Sequence, residues 1–139
     1  MIDSVQAGAV LYAKDMARMC DFYARVAGLR AVHAEHDHVV LESPRFQLVV
    51  VAIPAPLATT IRTTTPPRRR EDCALKLVLA VASIAAARAA ALPAGGKLDD
   101  PEHEWRFCGA RVCDGHDPEG NVVQFRESAG GSATQAAQP

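Results

Sequence analysis

The stretch Gly115-His116-Asp117-Pro118-Glu119-Gly120-Asn121-Val122-Val123-Gln124-Phe125-Arg126 decides the architecture of this chain. Asp117 suits the opening of a tight turn, Pro118 presets φ at the next position, and Gly120 tolerates the positive φ that closes it. The run therefore predicts a type I or bulged turn followed by a strand. Within residues 121–127, Val122, Gln124 and Arg126 share one face while Val123 and Phe125 share the other, the alternation of a half-buried strand. The functional question is what Gln124 faces.

Upstream of that turn, residues 104–113 and 97–99 read as the preceding strands. Residues 74–81 (ALKLVLAV) form a strand with Leu75, Leu77 and Leu79 on one face and Lys76 on the other. Ser83 caps an alanine-rich helix that Gly95-Gly96 ends. The first half repeats this plan. Residues 5–13 are a strand, Asp15 caps a helix striped by Met16, Met19, Cys20, Tyr23, Val26 and Ala27, and Gly28 stops it. Strands at 29–35, 38–43 and 46–53 follow. The halves match at an offset of 68, pairing Asp15 with Ser83, Gly28 with Gly96 and Gly8 with Lys76. Neither half is large enough to bury its own sheet. The expected fold is α+β: two βαβββ repeats making a curved, mostly antiparallel sheet of about eight strands, with a central cup and both helices on the convex face.

This gives one domain in four segments: a first module at 1–53, a Pro/Thr/Arg-rich linker at 54–72, a second module at 73–128 and a disordered tail at 129–139. The Arg68-Arg69-Arg70 run in the linker reads as solvated surface, with contact to an anionic partner as the alternative. With 15 basic and 16 acidic residues the formal net charge is −1, which argues against a nucleic-acid partner. No apolar run is long enough to span a bilayer, and the chain enters its first strand without a signal-peptide pattern, so no membrane partner and a cytoplasmic location are expected. The four cysteines lack paired spacing and read as reduced thiols. Cys108 or Cys113 would be an activated thiolate only if it lay near Lys76. His33, His36 and His38, with Glu35 and Asp37 between them, read as a hairpin turn with exposed imidazoles.

Val10-Leu11-Tyr12-Ala13-Lys14-Asp15 leading into Asp21-Phe22-Tyr23 and Gly28-Leu29, together with Asp117-Pro118-Glu119-Gly120-Asn121, resembles the vicinal oxygen chelate superfamily over residues 5–128. That superfamily includes glyoxalase I, bleomycin-resistance proteins, fosfomycin-resistance enzymes and extradiol dioxygenases. The resemblance implies a cup in which His, Gln or Glu side chains hold a divalent ion. Carried over residue by residue, those positions fall here on Gly8, near Val49 beside Gln47, on Lys76 and on Gln124. Glycine has no donor, an ammonium repels a cation and an amide binds weakly, so the usual metal set is missing.

The expectation is therefore a bleomycin-resistance-like protein that binds a small organic ligand, anionic or polar, with neither metal nor cofactor. Lys76 and Gln124 would anchor the ligand, Tyr12 or Trp105 would supply aromatic contact, and Gln47 and Arg106 would complete the lining. Proteins of this resemblance commonly act as homodimers. The competing reading is a metal-dependent lyase, isomerase or dioxygenase that combines Gln124 with first-half histidines. A third reading makes the cup vestigial.

Overall fold

A computed structural model describes residues 5–128 of the chain, so the tail expected at 129–139 lies outside the described residues. The first module runs β1 (Gly8–Ala13), α1 (Met16–Ala27), β2 (Arg30–Ala34), β3 (His38–Ser43) and β4 (Phe46–Ala52). After a short helix α2 (Ala55–Ala58), the second module runs β5 (Leu77–Val81), α3 (Ile84–Ala91), β6 (Lys97–Leu98), β7 (Trp105–Phe107), β8 (Ala110–His116) and β9 (Val122–Ser128). Each module makes its own sheet, in the orders β1-β4-β3-β2 and β5-β9-β8-β6, with β7 also paired to β8. Among the named strands of the described residues, only β1/β4 and β5/β9 pair in parallel. The expected α+β repeat is present, as two sheets in place of one continuous ladder. No helix among the described residues is long and apolar enough to cross a membrane.

The helices start and stop for local reasons. The Asp15 carboxylate accepts from Arg18 N–H, and Gly28 closes α1 in the left-handed region at φ 70°, its N–H donating to Ala24. The Ser83 hydroxyl caps α3 through Ala86 N–H. The left-handed stop of the second helix is Gly95, at φ 96°, and not Gly96. Gly96 serves another purpose: a Cβ there would lie 2.4 Å from both the His116 carbonyl and the Phe22 ring. Its lack of a side chain lets α1 close on the second module. Phe22, outside the predicted stripe, is fully buried and meets Tyr23 edge to face at 5.1 Å. The stripe is wider than one sheet demands because α1 packs against both its own sheet and α3. Leu41, Leu48, Val50, Leu79, Ile84, Val123 and Phe125 complete one core running through both modules.

Three expectations about the strands are corrected. Residues 104–113 are a hairpin and not one strand, because Cys108 (φ 51°) and Gly109 (φ 80°) turn the chain between β7 and β8. The role that β2 fills alone is divided between β6 and β7, separated by a turn at Pro101–His103. Arg88 of α3 anchors that interruption by donating to the Asp99 carbonyl and the Glu104 carboxylate. Finally, β5 begins at Leu77, so Lys76 belongs to the connection and Leu75 is exposed.

The turn from Asp117 to Asn121 joins the modules. Asp117 is fully buried and accepts from four donors: Glu119 N–H and Asn121 N–H within the turn, the Asn121 amide, and the Tyr23 hydroxyl of α1 at 2.7 Å. Glu119 reaches across to the start of α1, where its two oxygens accept from Lys14 N–H at 3.0 Å and Asp15 N–H at 2.8 Å. Burial pushes the Asp117 carboxyl above its ordinary range, against the pull of the Tyr23 and Asn121 bonds. Removing the Tyr23 hydroxyl therefore raises the folded-state value further. The stability so lost is present while the carboxylate is ionised and fades as pH falls through the range where Asp117 takes up its proton. Tyr23→Phe is expected to cost about 2 kcal/mol at neutral pH and clearly less in acid, measured by urea unfolding at both; an equal loss at both would reduce the bond to neutral packing.

Candidate functional site

Strand register places the side chains of the second sheet's open face. Lys76 precedes β5, Val78 lies opposite Gln124, Gln124 opposite Asp114, and Arg126 opposite Val112, which in turn faces Trp105. Their neighbours Leu79, Cys113, Val123 and Phe125 point the other way, into the core. Across the open face runs a continuous polar string. Lys76 Nζ lies 2.8 Å from Asp114 Oδ2, Gln124 Nε2 donates to Asp114 Oδ1 at 3.4 Å, and Arg126 Nε donates to Gln124 Oε1 at 2.8 Å. The Arg126 guanidinium then covers the Phe107 ring at 4.8 Å. Lys76 and Gln124, paired on sequence grounds, thus meet through Asp114. Because that carboxylate neutralises Lys76, the unpaired positive charge of the string rests on Arg126.

At its Lys76 end the string opens into two adjoining cavities that share Arg70, Cys73, Leu75 and Lys76. The larger, about 310 Å³, lies between the two sheets and is walled mainly by apolar side chains, among them Val10 of β1, Leu75, Leu77 and Val122. At the other end stand Trp105 and Phe107, both exposed. Trp105 therefore lies on the expected face. Arg106 does not: it sits opposite Arg111, which pairs with Glu127, and Glu127 accepts from Ile84 N–H at the start of α3 on the helix side. Strand alternation separates the Trp-Arg pair that looked like one unit in sequence.

Tyr12 and Gln47 occupy the open face of the first sheet, with Val10, Val49 and Val51. Gln47 Nε2 donates to Glu42 at 2.9 Å. His33 and His38 lie 5.9 Å apart there, each held by an adjacent carboxylate, Glu35 and Asp37 respectively. They do not join Gln124. Cys113 is in the core, where burial pushes its thiol up, and Cys108 is at the hairpin tip, so neither is the activated thiolate considered for this site. Asp114 was missed because its partner across the strands is set by the Asp117 turn, Phe107 because the Cys108-Gly109 hairpin was not foreseen, and Arg126, already on the face of Gln124, was passed over in favour of Lys76. The signal was available: with Asp117 N–H bonded to Asn121 O, counting three residues along each strand sets Asp114 opposite Gln124.

The glyoxalase-like domain model matches residues 8–125, nearly the whole described chain. The chain belongs to the glyoxalase-like domain family. A search of curated proteins finds no match. Among solved structures, a glyoxalase/bleomycin resistance protein/dioxygenase family enzyme from Burkholderia phytofirmans superposes with a TM-score of 0.62 at 18% identity, covering 87% of this chain and 96% of that one. A glyoxalase-related enzyme from Fulvimarina pelagi gives 0.62 and 18%, covering 91% and 89%. A bleomycin resistance determinant encoded on transposon Tn5 gives 0.59 and 16%, covering 90% and 98%. At such identities the likeness is one of fold.

The positions at which this glyoxalase-like domain would carry a metal do not suit one. Gly8 offers no donor, and a Cβ there would lie 2.2 Å from the Gln47 carbonyl, so the backbone of β4 occupies the space a ligand would need. Lys76 is cationic and ion-paired. Gln124 is engaged at both ends of its amide. Among the described residues no three His, Cys, Asp or Glu side chains come together as a metal site. Gly8→Ala is expected to lower stability by about 2 kcal/mol, read as a fall in the thermal midpoint, because β1 and β4 must separate to admit the methyl. An unchanged midpoint would show that the close approach is dispensable.

Proposed function

We propose that this glyoxalase-like protein binds a small organic ligand, polar or anionic and carrying a flat apolar part, on the open face of its second sheet, without a chelated metal. The observation that carries this reading is the string Lys76-Asp114-Gln124-Arg126, which presents donors and acceptors in fixed order between an apolar cavity and two exposed aromatic rings. A ligand edge can exchange hydrogen bonds with Gln124 and Asp114 while its flat face stacks on Trp105 or Phe107. Arg126 supplies the charge for an anionic group, the part sequence reasoning gave to Lys76. Lys76 instead holds Asp114 in place. The transposon-encoded protein of the same fold is named a bleomycin resistance determinant, which ties this fold, in that protein, to a small organic compound.

Trp105 is the single tryptophan of the chain and stands on this face, so its fluorescence reports occupancy directly. Titration with anilinonaphthalenesulfonate, a planar aromatic anion, is expected to saturate at one site per chain with energy transfer from Trp105. Gln124→Ala and Arg126→Ala should each weaken it at least tenfold, with circular dichroism unchanged. Full affinity in both variants would remove the reading.

Val10, Tyr12, Val78, Trp105 and Phe107 leave substantial apolar area on the two open faces, Tyr12 being 62% exposed. We infer that a second copy covers part of it, making the working unit a homodimer. Sedimentation of the native chain should give the dimer mass at micromolar concentration, and Tyr12→Glu should shift it toward monomer; a native monomer would overturn the inference.

A further inference from the structure

The linker between the modules is solvated surface as expected, with Arg62, Arg68 and Arg70 exposed, and it borders an open cavity of about 570 Å³. Four arginines line it: Arg62, Arg68, Arg69 and Arg70. Their backbone is pinned. Lys14 Nζ donates to the Ile61 carbonyl, Arg70 N–H donates to the Gly120 carbonyl at 2.8 Å, and Arg70 bridges to Asn121 in parallel register. Arg68 is pressed so closely on the turn that a Cβ at Gly120 would lie 2.0 Å from its carbonyl. The Arg69 guanidinium is tied to Asp99 by two hydrogen bonds.

Of these cations only Arg69 is ion-paired with an acid. Glu71 pairs with Arg69, the Glu119 oxygens bond to the backbone N–H groups of Lys14 and Asp15, and Asp72 completes the wall, so four arginines line the cavity with three acids. Among the described residues Arg62, Arg68 and Arg70 form no ion pair within 4.0 Å of an acid. Three guanidinium groups held around one cavity by a fixed backbone repel one another, and a multiply charged anion relieves that repulsion while accepting from their forked N–H groups. We propose that this cavity is an oxyanion site that takes a phosphate or diphosphate group, free or carried by a small organic molecule. With an overall charge of −1 the chain carries no broad basic field of the kind a nucleic-acid surface needs.

Calorimetry at low ionic strength with inorganic pyrophosphate tests the site, and phenyl phosphate in a second arm distinguishes an organic phosphate from the free ion. One site per chain is expected, weakened at least tenfold by Arg62→Ala and by Arg68→Ala, and left unchanged by Arg45→Ala on the exposed turn between β3 and β4. A preference for phenyl phosphate would assign an organophosphate to the site, and a preference for pyrophosphate the free anion. No heat at millimolar ligand, or equal loss in the Arg45 variant, would overturn the proposal. Because Trp105 does not line the linker cavity, its fluorescence titration stands or falls separately from this result.

Discussion

The fold depends on two carboxylates in one five-residue turn. Glu119 satisfies backbone N–H groups where α1 begins, a place at which a helix has unpaired donors and a partial positive charge. Asp117 holds the turn in shape from inside and ties it to the same helix through Tyr23. Both are buried, so each carries a desolvation cost that only its full set of hydrogen bonds offsets. A turn that binds another module's helix in this way fixes how two repeats sit together. The shared core of Phe22, Tyr23, Ile84 and Phe125 then forms around a junction already specified by polar geometry. The linker obeys the same constraint, since it presses on Gly120 and bonds to that residue's carbonyl.

Much of this was legible in the sequence because it is local. Caps, stops and the Asp-Pro-Glu-Gly-Asn turn are set by residues within a few positions of one another, and alternation along β9 assigns Gln124 and Phe125 to opposite faces without further information. The second repeat follows from the first by its offset. What could not be read depends on packing between distant elements. Gly96 looks like a helix stop and is in fact the clearance for Phe22. The run Trp105-Arg106-Phe107-Cys108-Gly109 has no strong hairpin signal, because a positive φ at Cys108 is unusual for a residue with a side chain. Missing that hairpin hid Phe107 and the true neighbours of Trp105.

The same distinction explains the partial reading of the site. Strand parity does not reach Lys76, which lies in the connection before β5, and whether it is a free cation depends on Asp114, a residue 38 positions away. A half-exposed lysine beside a mostly buried aspartate is cheaper to keep as a pair than apart, because removing either leaves the other charge without its partner. The pair therefore acts as scaffold for the amide of Gln124, whose two ends are fixed in opposite senses, nitrogen toward Asp114 and oxygen toward Arg126.

An amide held in this way cannot turn its oxygen toward a cation without breaking the bond to Arg126, and a cation placed there would meet two positive side chains. The backbone of β4 likewise fills the space beside Gly8, so neither Gly8 nor Gln124 is placed to hold a cation. Lys76 and Gln124 are instead joined through Asp114, while Gln47 bonds Glu42 on the other sheet. Arg70 lines both the apolar cavity at the Lys76 end and the arginine cavity of the linker, so the two share a wall at the junction that the Asp117 turn holds closed. In a fold of two repeats, that junction is where side chains from both modules and the connection between them come within reach of one molecule.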